Sequence, residues 1–290
     1  MGLRAKFNLA LLAAFSVGML VAAVVLQYVS VKQARVQVLE NASIMMTAAN
    51  AIRNYTARDL VPLLPLEHNG KFVAETVPAY AAQKNFKDVQ AAFAGFSYRE
   101  PALNPTNPAN RAQSWEADII NLFRDEPERQ EFVTQRETPI GPTLNLARPL
   151  VIRSMACLSC HSTPSEAPAV LIRDYGSVNG FGWKLDETIG AQIVSVPMAV
   201  PLKLAHQAYV SFLIILLAIF AVVFVVLNLL LHYLILVPVK KVSAIAEAVS
   251  LGTENVETYV KPGQDEISSL SVSFNRMRES LKRAMDMLKA

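Results

Sequence analysis

Charged and apolar residues alternate along this chain on two length scales, and the coarser one sets its plan. Leu9 to Leu26 and Ala208 to Val237 run without Asp, Glu, Lys or Arg. A helix needs roughly 20 apolar residues to cross a bilayer, so both stretches predict transmembrane helices, over 8–29 and 207–237. The first also has the basic start and small-residue end of a secretory signal. Its apolar run exceeds the usual signal core of about 7–15 residues, and helical spacing continues beyond it, so it is read as an uncleaved anchor. Arg4 and Lys6 precede the first span, and Lys240 and Lys241 follow the second. The positive-inside tendency places residues 1–7 and both termini in the cytoplasm, with 30–206 outside.

Between the spans the finer pattern takes over. Residues 30–61 lack Gly and Pro and carry Val31, Ala34, Val38, Ile44, Ala48, Ile52 and Tyr55 at helical spacing, which predicts one long stalk helix. Pro62 to Gly70 breaks it, with Glu67-His68-Asn69-Gly70 as a turn. Pro78 suits the first turn of a second helix. Tyr98 to Asn110 is a polar loop with two Asn-Pro steps. Ser114 is the expected N-cap of a helix from Trp115 to Arg124, where Trp115, Ile119 and Phe123 fall on one face. Leu146 to Ile152, Phe181 to Leu185 and Gln192 to Val196 read as strands. About 170 residues suffice for one domain, so the expectation is an α+β fold, a small sheet with helices.

Beyond Val237 the pattern changes again. Pro238 follows directly, Val242, Ile245 and Val249 recur at helical spacing, and Gly252 ends the run. After a linker containing Pro262-Gly263, Ile267, Leu270, Phe274, Met277, Leu281, Ala284 and Leu288 repeat at alternating intervals of three and four. That is the a/d seam of a coiled coil, although a lone amphipathic helix on a membrane has the same seam. Two heptad helices joined by an extended linker straight after a span, with Asp265-Glu266 opening the second, resemble the HAMP module, over 238–290. The resemblance implies a homodimer forming a four-helix coiled coil that relays changes in helix packing. No kinase, cyclase or chemoreceptor domain follows before Ala290, so a separate cytoplasmic signalling partner is expected.

Composition narrows the classes further. The hydrophobic fraction of 52% comes largely from the two spans, and a net charge of +3 is too small to argue for nucleic acid. There is no basic stripe, zinc finger or phosphate-cradling glycine motif.

The chain has two cysteines, and both fall in Cys157-Leu158-Ser159-Cys160-His161. This is the attachment signature of c-type haem: two thiols add to the vinyl groups and the adjacent histidine becomes the proximal iron ligand. It predicts one covalent haem c per chain, with Cys157 and Cys160 as thioethers and His161 on the iron. A redox disulfide followed by histidine, or a zinc site, is the competing reading. The first calls for a thioredoxin-like βαβ pattern that the sequence lacks, and the second for more ligands. Covalent haem attachment in bacteria takes place outside the cytoplasmic membrane, which agrees with the topology and implies an inner-membrane protein with a periplasmic haem domain.

Several runs extend the motif: Val77-Pro78-Ala79, Tyr98-Arg99-Glu100, Asn104-Pro105-Thr106-Asn107-Pro108, Trp115-Glu116, Asn179-Gly180-Phe181-Gly182-Trp183-Lys184 and Gly190 to Met198. Together, from about Thr76 to Met198, they resemble a family of periplasmic haem c domains with a PAS-like fold, found ahead of HAMP and signalling domains. The resemblance implies a redox or gas sensor. One branch of that family uses a cysteine thiolate as second axial ligand, and the corresponding position here falls near Val77 or Pro78, neither of which ligates iron. Candidates for the distal position are then His68, Met45, Met46 and Met155, with His68 first; Met45 and Met46 fit stalk packing, Met155 is tethered too near the proximal side, and His206 and His232 suit interface positions. Arg99, Arg148 and Arg153 are candidate partners of the haem propionates, against an ordinary role as solvated charge. Trp115, Phe181 and Trp183 fit core or haem-wall positions. The expected function is a signal-transducing receptor for redox state or a diatomic gas, not an enzyme, with a membrane-anchored electron carrier as the alternative.

Overall fold

The computed structural model of the protein describes residues 2–253 and 256–289, which form two compact units, Gln27–Ala208 and Met1–Leu26 with Tyr209–Ala290. Helix α1 (Leu3–Tyr55) enters the first of these at Gln27. Its buried residues Ala34, Val38, Ala42, Met46 and Ala49 form one stripe, because steps of three and four return to the same helix face. A π-helical turn, Thr56–Leu60, follows before Pro62 stops the helix. A two-residue hairpin joins β1 (Glu67–His68) to β2 (Lys71–Phe72) where the turn was expected. Asn69 and Gly70 at its tip both have positive φ, 51° and 70°, the conformation a tight hairpin demands. Helix α2 (Pro78–Ala92) starts on its proline as the sequence predicts.

Four antiparallel strands form the main sheet: β3 (Ser97–Arg99), β4 (Phe132–Thr138), β5 (Gly141–Val151) and β6 (Thr188–Pro197), in the order β3-β6-β5-β4. Side chains alternate between the faces, so each face has its own core. Tyr98, Leu144, Leu146, Val194 and Val196 pack against Val38, Ala42, Met46 and Ala49 of α1 and Ala82 and Phe86 of α2. On the opposite face Ala147, Ala191 and Ile193 meet Ile119, Ile120 and Phe123 of α3 (Ser114–Asp125). The mixed helix-and-sheet architecture between two long apolar helices is the expected layout.

Several details differ from the sequence reading: Tyr98 and Arg99, read as loop, belong to β3, and three others have clear causes. Strand β4 was not expected; it is an edge strand with polar residues from Thr134 to Thr138, so the apolar cue is missing. The N-cap of α3 is Gln113, one residue earlier than Ser114, because the Glu116 carboxylate turns back to accept the Gln113 N–H at 2.7 Å. Phe181 to Leu185 forms no strand.

In the second unit, the apolar helices are long enough to cross a membrane, and Phe15 and Phe220 stack with centroids 4.9 Å apart. Helix α6 (Ala199–Leu230) passes through a π-helical segment, Leu231–Leu236, into α7 (Val237–Ser250). Helix α8 (Glu266–Lys289) carries Ser268, Ser271 and Asn275 on a buried polar face. Its Asn275 and Arg278 donate to the carbonyls of Tyr259 and Val256 at 2.8 and 2.9 Å, strapping the connector along the helix. The heptad residues Leu270, Met277 and Leu281 stay exposed and form an open apolar seam. Glu254 and Asn255 of the linker, and the side chain of Leu288, lie outside the described residues.

Candidate functional site

The Cys-x-x-Cys-His segment forms helix α4 (Met155–His161), which follows β5 after a three-residue step. Ser154 caps it, its hydroxyl accepting the Ala156 N–H at 3.2 Å. Residues three and four apart share a helix face, so Cys157, Cys160 and His161 project from one side of α4. Both thiols are free and half-buried. Among the described residues, no three His, Cys, Asp or Glu side chains converge as a bare metal-ion site would require.

The loop from Asn179 to Trp183 closes over the end of α4. Gly182 N–H donates to Ser162 O at 2.8 Å and Trp183 N–H to His161 O at 3.2 Å, satisfying carbonyls of the last turn. Gly180 and Gly182 achieve this with φ of 82° and 78°. These left-handed residues are why the segment caps a helix and cannot run as the expected strand. Gly180 is also a point of closest approach, since a Cβ there would lie 2.0 Å from Thr106 Oγ1 and 2.7 Å from Thr106 Cα.

His161 is held from three directions. Its Nδ1 lies 2.8 Å from Gly180 O, Thr106 Oγ1 is 3.4 Å from the same nitrogen, and the Trp183 ring stacks on the imidazole at 4.0 Å. A carbonyl only accepts, so Nδ1 carries the proton and Nε2 keeps its lone pair. Burial lowers the imidazole's pKa, partly opposed by the bond to Gly180 O, and the neutral form is favoured. A neutral histidine oriented through Nδ1–H to a backbone carbonyl is the arrangement in which Nε2 serves as a metal ligand. The residues thus fit a haem held by two thioethers and one imidazole.

A buried ion pair adjoins this site and was not anticipated. Arg53 of α1 donates to Glu100, whose side chain is 1% exposed. The Tyr98 hydroxyl donates to the other Glu100 oxygen at 2.7 Å, and Gln192 Nε2 lies 2.9 Å from both Tyr98 Oη and Asn50 Oδ1. Burial works against the Arg53 charge, but Glu100, Tyr98 and the nearby Cys157 together raise its pKa. Burial and the Glu100 charge push the Tyr98 phenol far above its ordinary value. A sequence signal existed: Arg53 stands four residues after Ala49 and continues the buried stripe of α1.

The other candidates disperse. His68 is exposed in the hairpin, 3.1 Å from Asn69 Nδ2, beside a 440 Å3 hollow with Leu64, Lys71 and Phe72. That hairpin is tied to α5 (Ala169–Tyr175), Phe72 N–H donating to Asp174 at 2.8 Å. Met46 is fully buried in the core with Met45 against it, and Met155 is exposed. Arg99 faces Glu116 at 3.6 Å, and Arg148 faces Glu131 at 3.0 Å. Arg153 and Asp186 form an exposed pair at 3.6 Å, two residues before α4. Trp115 lies against the α3 core and under the Arg136 guanidinium, 4.1 Å from its centroid.

Fold and site define an α+β domain with a thiol–thiol–imidazole helix, set between two helices able to span a membrane and followed by a paired-helix module. The pattern of the Tll0287-like family matches residues 31–197, more than half of the sequence, and the chain belongs to that family. The HAMP domain pattern matches residues 230–283. Among solved structures, the crystal structure of the cyanobacterial heme-protein Tll0287 is similar at 18% identity, over 55% of this chain and 94% of that chain, with a TM-score of 0.43. No curated protein matches.

Proposed function

We propose that the chain is a membrane-bound haem c sensor, its haem domain periplasmic and both termini cytoplasmic, which reports redox state or a diatomic gas through its HAMP module. The observation that carries this reading is His161, with Nδ1–H fixed on Gly180 O, Nε2 free, and two unlinked thiols on the same helix face. Cys157 and Cys160 form the thioethers and His161 is the proximal ligand, one haem per chain. Bound there, haem supplies an iron that changes charge or takes up a small gas. Arg153 exchanges its exposed partner for a propionate, whereas Arg99 and Arg148 keep their carboxylates. His68 reaches the distal position only if its hairpin moves; otherwise that position stays open to ligand. The exposed seam of α8 supports a homodimer, in which Leu270, Met277 and Leu281 are covered by a second copy. A separate cytoplasmic protein reads the output.

Full-length protein made with cytochrome-maturation machinery tests the first half. The expected result is covalent haem that survives denaturation and acid–acetone extraction and is lost from the double variant Cys157→Ala/Cys160→Ala. Colourless denatured protein would end the proposal. Ferrous spectra with CO or NO test the second half, and a six-coordinate iron indifferent to both gases and to His68→Ala leaves redox sensing or electron transfer. Dimer cross-linking at Leu281→Cys separates those, changing with iron oxidation state in a sensor and staying constant in a carrier.

A further inference from the structure

At the end of the apolar helices that carries the termini lies a cavity of about 410 Å3. Arg4 and Asn8 line it from α1, and Phe224, Asn228 and His232 from the second apolar helix. Polar side chains within spans are costly and mark functional positions by default. His232 precedes Lys240 by eight residues, about 12 Å of helix. Arg4 stands five residues before the uncharged run that starts at Leu9, so the cavity reaches from the headgroup level at Arg4 into the apolar layer at Asn228 and His232.

Its electrostatics call for an anion. There is no Asp or Glu from Leu3 to Leu39 or from Thr188 to Ala246, while Arg4, Lys6, Lys240 and Lys241 all stand at this end. The amide oxygens call for something more. Asn8 Oδ1 and Asn228 Oδ1 are buried acceptors without a donor, and the Asn228 amide N–H is already directed to Phe224 O at 3.0 Å. A fitting ligand therefore presents a phosphate to Arg4 and His232, supplies hydroxyl donors to the two asparagine oxygens, and enters from the membrane.

We propose that this cavity binds the headgroup of an anionic phospholipid bearing free hydroxyls, of the phosphatidylglycerol type. The phosphodiester accepts from the Arg4 guanidinium and the His232 ring N–H. The glycerol hydroxyls donate to Asn8 and Asn228, and Phe224 packs against the start of the acyl chains. The π-helical segment Leu231–Leu236 begins beside the bound headgroup and leads directly into α7. π turns are rare and recur at functional sites, and this one places the lipid at the joint between span and cytoplasmic helices.

The test uses the full chain in nanodiscs of phosphatidylcholine containing phosphatidylglycerol or phosphatidic acid, with retained lipid counted by native mass spectrometry. Phosphatidylglycerol should be retained over phosphatidylcholine, and Arg4→Gln should weaken retention about tenfold, as the loss of one charge-assisted hydrogen bond implies. Asn8→Leu with Asn228→Leu should abolish the preference for phosphatidylglycerol over phosphatidic acid. Retention unaltered in Arg4→Gln, equal retention of all three lipids, or displacement by free glycerol phosphate would each overturn the proposal. So would complete cross-linking of Asn228→Cys between two copies in every lipid, which would mean that a second chain fills the cavity. Both tryptophans, Trp115 and Trp183, lie in Gln27–Ala208, outside the unit that carries the substitutions, so unchanged helical circular dichroism verifies folding in each variant, and the lipid count is independent of haem.

Discussion

Arg53→Met removes the cation from a buried pair while keeping most of the aliphatic stem. Glu100 is then left with the Tyr98 hydroxyl as its main partner, in a position where its side chain is 1% exposed and Arg53 itself is 22% exposed. Removing one member of a buried ion pair costs about 3–5 kcal/mol, because the remaining charge stays desolvated. Arg53 is partly open to solvent, so water reaches the site and the lower end, about 3 kcal/mol, is expected. Glu100→Met should cost less, about 2 kcal/mol, since the arginine can turn towards water.

The double variant Arg53→Met/Glu100→Met removes both charges and leaves only the Tyr98 hydroxyl without an acceptor, a loss of about 1 kcal/mol. The coupling between the two sites is then about 4 kcal/mol, well beyond the additivity error for independent positions. Denaturant unfolding of the full chain followed by tryptophan fluorescence measures this, because Trp115 and Trp183 both report on Gln27–Ala208 alone. A cost below about 1 kcal/mol for Arg53→Met would place the pair with ordinary surface bridges and refute its structural role.

Three further outcomes follow from the same geometry. Gly180→Ala meets both a positive φ and the Thr106 backbone, whereas Gly182→Ala meets the φ with nothing within 4 Å; the first should lose clearly more than the about 1–2 kcal/mol of left-handed strain expected for the second, read by thermal unfolding. Met46→Ala empties the centre of the α1 core and should cost about 2–5 kcal/mol in the same unfolding assay. The Tyr98 phenol has a raised pKa in the folded state, so its stabilisation is intact below the ordinary phenol value of about 10 and is lost as pH rises towards the folded value; Tyr98→Phe should remove that share of the alkaline loss, and identical pH profiles would contradict it.

The sequence made some of this legible and hid the rest for physical reasons. Apolar length disclosed both long helices, and the i, i+4, i+8 spacing of Trp115, Ile119 and Phe123 disclosed α3. Cys157, Cys160 and His161 stood out as the candidate site because two thiols and a histidine at that spacing share one helix face. Strand β4 was hidden because an edge strand with a solvated face needs no apolar alternation. The Phe181–Leu185 segment misled because its glycines argued against a helix and so for a strand, whereas the left-handed conformations of Gly180 and Gly182 make it a helix-capping loop. Thr106 and Gly180 lay inside quoted motifs, but only their juxtaposition across 74 residues explains them. The partners of Arg53 come from β3, β6 and the loop after β3, so no local pattern could pair them.

Those non-local contacts run without interruption from the candidate iron ligand to the stalk. The His161 Nδ1–H holds Gly180 O, and Gly180 cannot approach Thr106 further, because even a methyl group there would overlap its backbone. Thr106 is six residues from Glu100 along a segment pinned at Ala102, where Ala102 N–H and Asn110 O pair at 3.0 Å and Pro101 O accepts the Ala191 N–H at 3.0 Å. Two prolines, Pro101 and Pro105, stiffen the same stretch. Glu100 then grips Arg53 one turn before the π-helical end of α1. Close-packed groups shift between discrete arrangements instead of deforming smoothly, so under the proposed sensing role this strap is the route from the imidazole to α1. Arg53→Met cuts the connection at its last link while leaving His161 and both thiols untouched. Under the proposed sensing role, the variant therefore separates what the site binds from what reaches the stalk.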